Sequence, residues 1–220
     1  SLCYPIRLAY GYWKTTTDVS IFDEDWKSAI KLVLKTFKEQ QRKDGKSHYR
    51  FMRETAWATD SLPLGGYGNP INPVGLIVSS FRPSDDATTF SFLVPSNHFA
   101  VVSLKQLSEI LTEVIKDTLF ASECVNLADE VQEALNKYAN AEHLNFGKIY
   151  PYEVDGFGNK LFMEDANVPS LLSLPYLNAV SSENVLYKNT RNFLFSKNNP
   201  YYFEGKAGYG IGGPHAGLGK

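Results

Sequence analysis

The sequence predicts an all-α protein built as an array of helical hairpins, and three observations predict it. Apolar residues recur at helical spacing in several separate segments. Period-two alternation, the mark of a half-buried strand, is nearly absent. The helical segments are joined alternately by short turns and by long loops rich in polar and aromatic residues. If such hairpins close into a ring, the long loops collect at one end and shape a pocket there.

Taken in order, Leu2, Ile6, Leu8, Ala9, Tyr12 and Trp13 predict a short apolar helix ending near Thr15-Thr16-Thr17. Asp23 is placed to cap a second helix, with Glu24 and Asp25 in the first turn, where the helix dipole favours acids. Trp26, Ile30, Val33, Leu34 and Phe37 then keep helical spacing, and Lys35, Lys38, Arg42 and Lys43 load the far end, so residues 23–42 are read as helix. From 44 to 95 the period disappears among prolines and glycines. The aromatic content of that stretch argues against disorder, and it is read as an ordered loop with one short hairpin, built to make a surface. Helix returns from Asn97 to Lys116, and a further helix capped by Ser122 runs to His143, the two forming an αα-hairpin. Asp155-Gly156 and Gly158-Asn159 signal a small hairpin. Asn167-Val168-Pro169 opens a helix through Leu174, with Pro169 tolerated in its first turn, and Glu183 to Phe195 reads as another.

Composition narrows the function classes. A formal charge of −2 over 220 residues carries no basic excess, which argues against a nucleic-acid surface. No apolar run approaches the roughly 20 residues of a membrane span. With 13 Tyr, 14 Phe and 3 Trp the chain is rich in rings that pack in cores or stack on sugars. Cys3 and Cys124 lie far apart without metal-like spacing and read as buried free thiols.

The chemistry is sought in loop carboxylates: Asp85, Asp86, Glu153, Asp155, Glu164 and Asp165. A single loop acid is more often a turn cap or an ion pair than a catalyst. Asp85-Asp86 stands above that background because Arg82, Ser84, Thr88 and Thr89 surround it with hydrogen-bonding partners, and Pro83 and Pro95 stiffen the segment. Neighbouring side chains diverge, so one of the two at most can face a glycosidic oxygen. Glu164 reads as an acid at a helix start. Clustered acids also admit a Ca²⁺ site, but EF-hand spacing and His- or Cys-pair signatures are absent, and no metal or cofactor is expected. Gly208-Tyr209-Gly210 has no predicted strand before it, which weakens any nucleotide-binding reading. His215 sits on a glycine-permitted backbone from which a side chain can be presented to a ligand.

Several stretches together resemble glycoside hydrolase family 125, the metal-independent exo-α-1,6-mannosidases. They are Ser79 to Ala87 around the paired aspartates, Val94 to Val102, Glu153 to Asn159, Asp165 to Leu172 and Gly210 to His215, with the opening Ser1 to Pro5. The resemblance implies an (α/α)₆ toroid, an inverting mechanism with an Asp acid and a Glu base, and a pocket for a non-reducing-end mannose. The family's acid matches the Asp85-Asp86 pair, with Asp86 the assignment and Asp85 the alternative. Arg82 and Ser84 are then expected at the loop or the sugar, and Asp155, Asn167 and His215 around the pocket. His98 stands where the family pattern suggests a Met. The resemblance further implies that residues 1–220 are the middle portion of one catalytic domain, that the base lies outside them, and that they are inactive alone. The rival expectations are a non-catalytic carbohydrate-binding helical domain and a calcium-dependent α-mannosidase on a similar toroid.

Overall fold

The computed structural model describes residues 1–215. Helix α1 runs Cys3–Thr16 and stops where Thr17 turns left-handed and donates its N–H to the Trp13 carbonyl. Helix α2, Glu24–Gln40, begins as the sequence predicts: the Asp23 carboxylate accepts the Trp26 N–H at 2.8 Å. Strand β1 (Phe92–Leu93) leads directly into α3, Val94–Ile110, whose first turn holds Pro95 where no helical N–H is needed. A wider π-turn, Leu111–Ile115, ends it. Helix α4, Thr118–Tyr138, is capped by Asp117, whose carboxylate accepts the Phe120 N–H at 3.1 Å. Helix α5 spans Val185–Leu194 under an Asn184 cap.

α3 is the axis of the core. It packs against α4 as an αα-hairpin and against α1 on another side. Its low amphipathicity follows from this, since a helix flanked by other elements has little solvent face to fill with charge. Phe99, Leu104 and Leu107 are essentially buried and join Ile6 of α1, Phe37 of α2, and Leu127, Val131 and Leu135 of α4 in one cluster.

The all-α expectation is corrected by small sheets between the helices. Strands β2 (Ala141–His143) and β3 (Gly147–Ile149) form a hairpin, so α4 ends at Tyr138 rather than at His143. Strands β4 (Glu153–Val154) and β5 (Lys160–Leu161) form the small hairpin that the Asp-Gly and Gly-Asn turns announced, and β1 joins them to give the order β1-β4-β5. Strands β6 (Tyr202–Gly205) and β7 (Gly208–Ile211) pair where the sequence predicts no strand before Gly208. The helix expected after Asn167 is also corrected. Residues 170–179 fold as successive turns in which Ser170 and Ser173 bond each other's backbone, competing with helical bonds. The cap expected at Ser122 is supplied five residues earlier by Asp117.

Between α2 and β1 the chain is ordered, as the aromatic content suggested, and mostly irregular, with a 3₁₀ turn at Ala58–Asp60 and a short helical turn at Pro63–Gly66. It contains one short hairpin, closed by a bridge between Phe81 and Ala87. That hairpin carries the paired aspartates.

Candidate active site

Three residues, Pro83, Ser84 and Asp85, make the tip of the hairpin. The Asp85 N–H reaches the Arg82 carbonyl at 3.0 Å and the Arg82 N–H reaches the Asp86 carbonyl at 2.8 Å. Asp85 takes the left-handed region at φ 71°. This is a turn with proline at its second position, followed by a left-handed residue that restores the strand direction. The consequence is divergence of the two acids. Asp85 is exposed, whereas Asp86 is 4% exposed. Asp86 Oδ2 is buried and has no hydrogen-bond donor among the described residues. An unpartnered buried carboxylate oxygen is costly, and such atoms mark sites where function sets the sequence.

The hairpin is held from several sides. Thr88 Oγ1 donates to the Ser79 carbonyl at 2.8 Å, and the Ala87 N–H donates to the Thr59 carbonyl at 2.8 Å. Arg82 turns inward: its Nε donates to Glu153 Oε1 at 2.6 Å, both side chains being almost wholly buried. Burial works against the guanidinium charge, but the facing Glu153 outweighs it and holds Arg82 above its ordinary value. Of the two roles expected for Arg82, holding the loop is the one this geometry displays.

Behind the hairpin tip lies Asp165, which is fully buried. Ser84 Oγ donates to Asp165 Oδ2 and Asn167 Nδ2 donates to Oδ1 at 2.8 Å. The chain after β7 returns over this group. The Ala166 N–H meets the Gly212 carbonyl at 3.2 Å, and a Cβ on Gly213 would stand 2.9 Å from Asp165 Oδ1, so that position has no room for a side chain. The same return brings His215 Nδ1 to 3.6 Å from Asp86 Oδ1, with the imidazole largely exposed. Residues far apart in the chain are thus brought to two buried carboxylates, Ser84 and Asn167 to Asp165 and His215 to Asp86.

Asp155 is placed differently. Its Oδ1 accepts the N–H groups of Phe157 and Asn159 at 2.9 and 3.1 Å, and its Oδ2 accepts Asn159 Nδ2 at 2.6 Å. Both oxygens organise their own turn. Gly156 (φ 81°) allows it to press on Asn72, whose carbonyl oxygen would lie 2.3 Å from any Cβ there. Glu164, expected at a helix start, sits under the turns instead and accepts the N–H groups of Asp165, Leu171 and Leu172 at 3.1, 3.2 and 2.9 Å. Burial pushes its carboxyl up to about 8, against the opposing pull of those donors.

On another face of the hairpin opens a cleft of about 580 Å³, lined by Phe81, Pro83 and Asp85 with Gln40, Asn97 and Pro169. Asp85 borders this cleft, while Asp86 faces His215. Sequence reasoning named Glu153 and Asp165 as loop acids but gave neither a role. Their partners, Arg82 and Ser84, lie 71 and 81 residues away. The only local signal for Glu153 was an acid next to Val154 in a strand buried on both faces.

Paired helices here carry a loop-borne, partly buried acid cluster. Comparison with known proteins fixes the family. The family model for the metal-independent α-mannosidases (GH125) matches residues 1–220. A solved α-mannosidase of that metal-independent family from Streptococcus pneumoniae, in a non-productive complex with α-1,6-mannobiose, superposes with a TM-score of 0.94 at 41% identity, over 97% of this chain and 50% of its own. The meiotically up-regulated gene 157 protein of Schizosaccharomyces pombe is 42% identical over 228 residues, 99% of this chain and 45% of its own. The chain thus belongs to glycoside hydrolase family 125. It spans about half the length of these relatives.

Proposed function

We propose that the protein is an exo-acting α-1,6-mannosidase that cleaves a non-reducing-end mannose with inversion, using Asp86 as general acid. The observation that carries the acid assignment is the state of Asp86: a buried carboxylate on a braced hairpin, with Oδ2 unpartnered among the described residues. The linkage is supported by the α-1,6-mannobiose held by the Streptococcus pneumoniae relative. The whole enzyme is read as an (α/α)₆ toroid in which these hairpins form one part.

In this reaction Asp86 delivers a proton to the glycosidic oxygen as the C–O bond breaks, so that the aglycone leaves as a neutral alcohol. A second carboxylate takes a proton from water as it attacks the anomeric carbon on the opposite face. Inverting enzymes set the two groups roughly 6.5–9.5 Å apart to admit that water. Asp85 cannot be the second group, because the turn sends it away from Asp86. The base is assigned, on the family resemblance, to a glutamate outside the 220 residues, and the isolated chain is therefore expected to be inactive. His215, exposed beside Asp86, is placed to meet a sugar hydroxyl. Ser84 and Asn167 act on the site through Asp165.

The test is proton NMR of the full-length protein turning over α-1,6-mannobiose. Inversion delivers β-mannose first. Initial release of α-mannose would exclude the two-carboxylate inverting scheme. Hydrolysis by the 220-residue chain alone would overturn the placement of the base.

A further inference from the structure

We infer that Glu153 is a positioning residue that sets the catalytic acid in place by clamping both ends of its hairpin. The inference rests on the assignment of Asp86 as general acid. Glu153 lies on β4, the central strand of the order β1-β4-β5, opposite Leu93 on one side and Leu161 on the other. Its side chain is completely buried. Oε1 accepts Arg82 Nε at 2.6 Å, from the residue that starts the hairpin turn. Oε2 accepts the N–H groups of Thr89 and Phe90, both at 2.9 Å, from the chain just after the hairpin closes.

Arg82 relays the constraint, because its own N–H donates to the Asp86 carbonyl at 2.8 Å. One carboxylate thus grips the segment four residues before Asp86 and again three and four residues after it. Both oxygens and the charge are required. A glutamine has one acceptor oxygen, so in either orientation its amide N–H groups face donors, and in both the buried guanidinium loses its counter-charge. A carboxylate whose only task was to fold the sheet would show no preference for the chemistry at Asp86.

That difference makes the inference testable in the full-length enzyme with two substrates. Cleavage of α-1,6-mannobiose needs a proton on the departing alkoxide, whereas fluoride leaves from α-mannosyl fluoride with little help from an acid. For E153Q we expect kcat on mannobiose to fall by about 100-fold with KM nearly unchanged, the scale on which acid catalysis operates. The loss on the fluoride should stay within about fivefold, since little of that barrier depends on proton transfer. R82K, which keeps the buried charge but not the Nε geometry, should show the same selectivity and decides the matter if E153Q fails to fold. Equal losses on the two substrates, or no loss on either, overturn the clamp. D86N separates the acid's role from the clamp's. If D86N is selective against mannobiose and the clamp variants are not, the clamp fails and the acid stands. If D86N itself shows no selectivity, the acid assignment fails and the clamp falls with it.

Discussion

His98 gives a pH-dependent weakness whose size follows from its burial. It sits on α3, 3% exposed, edge-on to Tyr150 at 5.2 Å between ring centroids. Its Nε2 has no partner among the described residues. Desolvation alone depresses its pKa from 6.5 to about 4. The unfolded chain takes up a proton near pH 6.5 and the folded chain does not until pH 4, so the unfolded state binds more protons across that window. Stability contributed by neutral His98 is therefore complete above pH 6.5 and is lost as pH falls towards 4. At about 1.4 kcal/mol per unit, the loss is about 3 kcal/mol. Methionine has similar volume and no proton to gain. H98M should match the natural protein within about 1.5 kcal/mol at pH 7 and gain on it steadily down to pH 4. Urea unfolding of both full-length proteins at pH 7, 5.5 and 4, followed by circular dichroism, gives the difference directly. If the gap between them stays constant with pH, His98 is not a buried neutral imidazole and the reasoning fails.

Glu164 predicts the opposite slope. With its carboxyl raised to about 8, the folded state holds a proton that the unfolded state has released above about pH 4.5, so its contribution falls as pH rises from 4.5 to 8. E164Q should flatten that limb of the stability curve, and an unchanged slope would show that the group is ionised in the fold. Gly213→Ala places a methyl 2.9 Å from Asp165 Oδ1 and must displace either that carboxylate or the segment carrying His215. Activity on α-1,6-mannobiose is expected to fall at least about tenfold with little change in melting temperature, since small misplacements at a site are costly; full activity would show that this return over Asp165 is not part of the site. Cys3 and Cys124 are free and buried, with burial pushing their thiols up to about 11 and about 12. Ellman's reagent should label neither at pH 8 until the protein is unfolded, and rapid labelling in the native state would contradict the burial.

The helices were legible where one strong local signal marked each end. Asp23 caps α2 as its sequence says, with acids in the first turn and lysines at the far end. α4 was legible in its middle and misjudged at both ends. Asp117 out-competed Ser122 as its cap, and the chain after Tyr138 had enough helical residues to hide a three-residue strand. The β4–β5 hairpin was legible from its turns, but the β2–β3 and β6–β7 pairs and the addition of β1 were not, because two- to four-residue strands cannot display a period. The turns at residues 170–179 escaped because two serines and a buried glutamate just upstream take up N–H groups that a helix would have used. At the site, the split between Asp85 and Asp86 was legible, since adjacent side chains on a tight turn must diverge. Its direction was not, because that depends on Asp85 accepting a left-handed backbone. The Arg82–Glu153 clamp and the Ser84–Asp165 bond join segments that only the fold brings together, and no local pattern announces them.

Which aspartate carries the proton decides the proposed mechanism. Asp85 borders the open cleft and Asp86 lies buried against the His215 side, so the two assignments make different predictions. Steady-state hydrolysis of α-1,6-mannobiose by full-length D86N and D85N, side by side, decides between them. Loss of about 1,000-fold or more in kcat for D86N, with D85N retaining activity within about tenfold, is the predicted result. A D86N enzyme that turns over normally, or a loss confined to D85N, would contradict it.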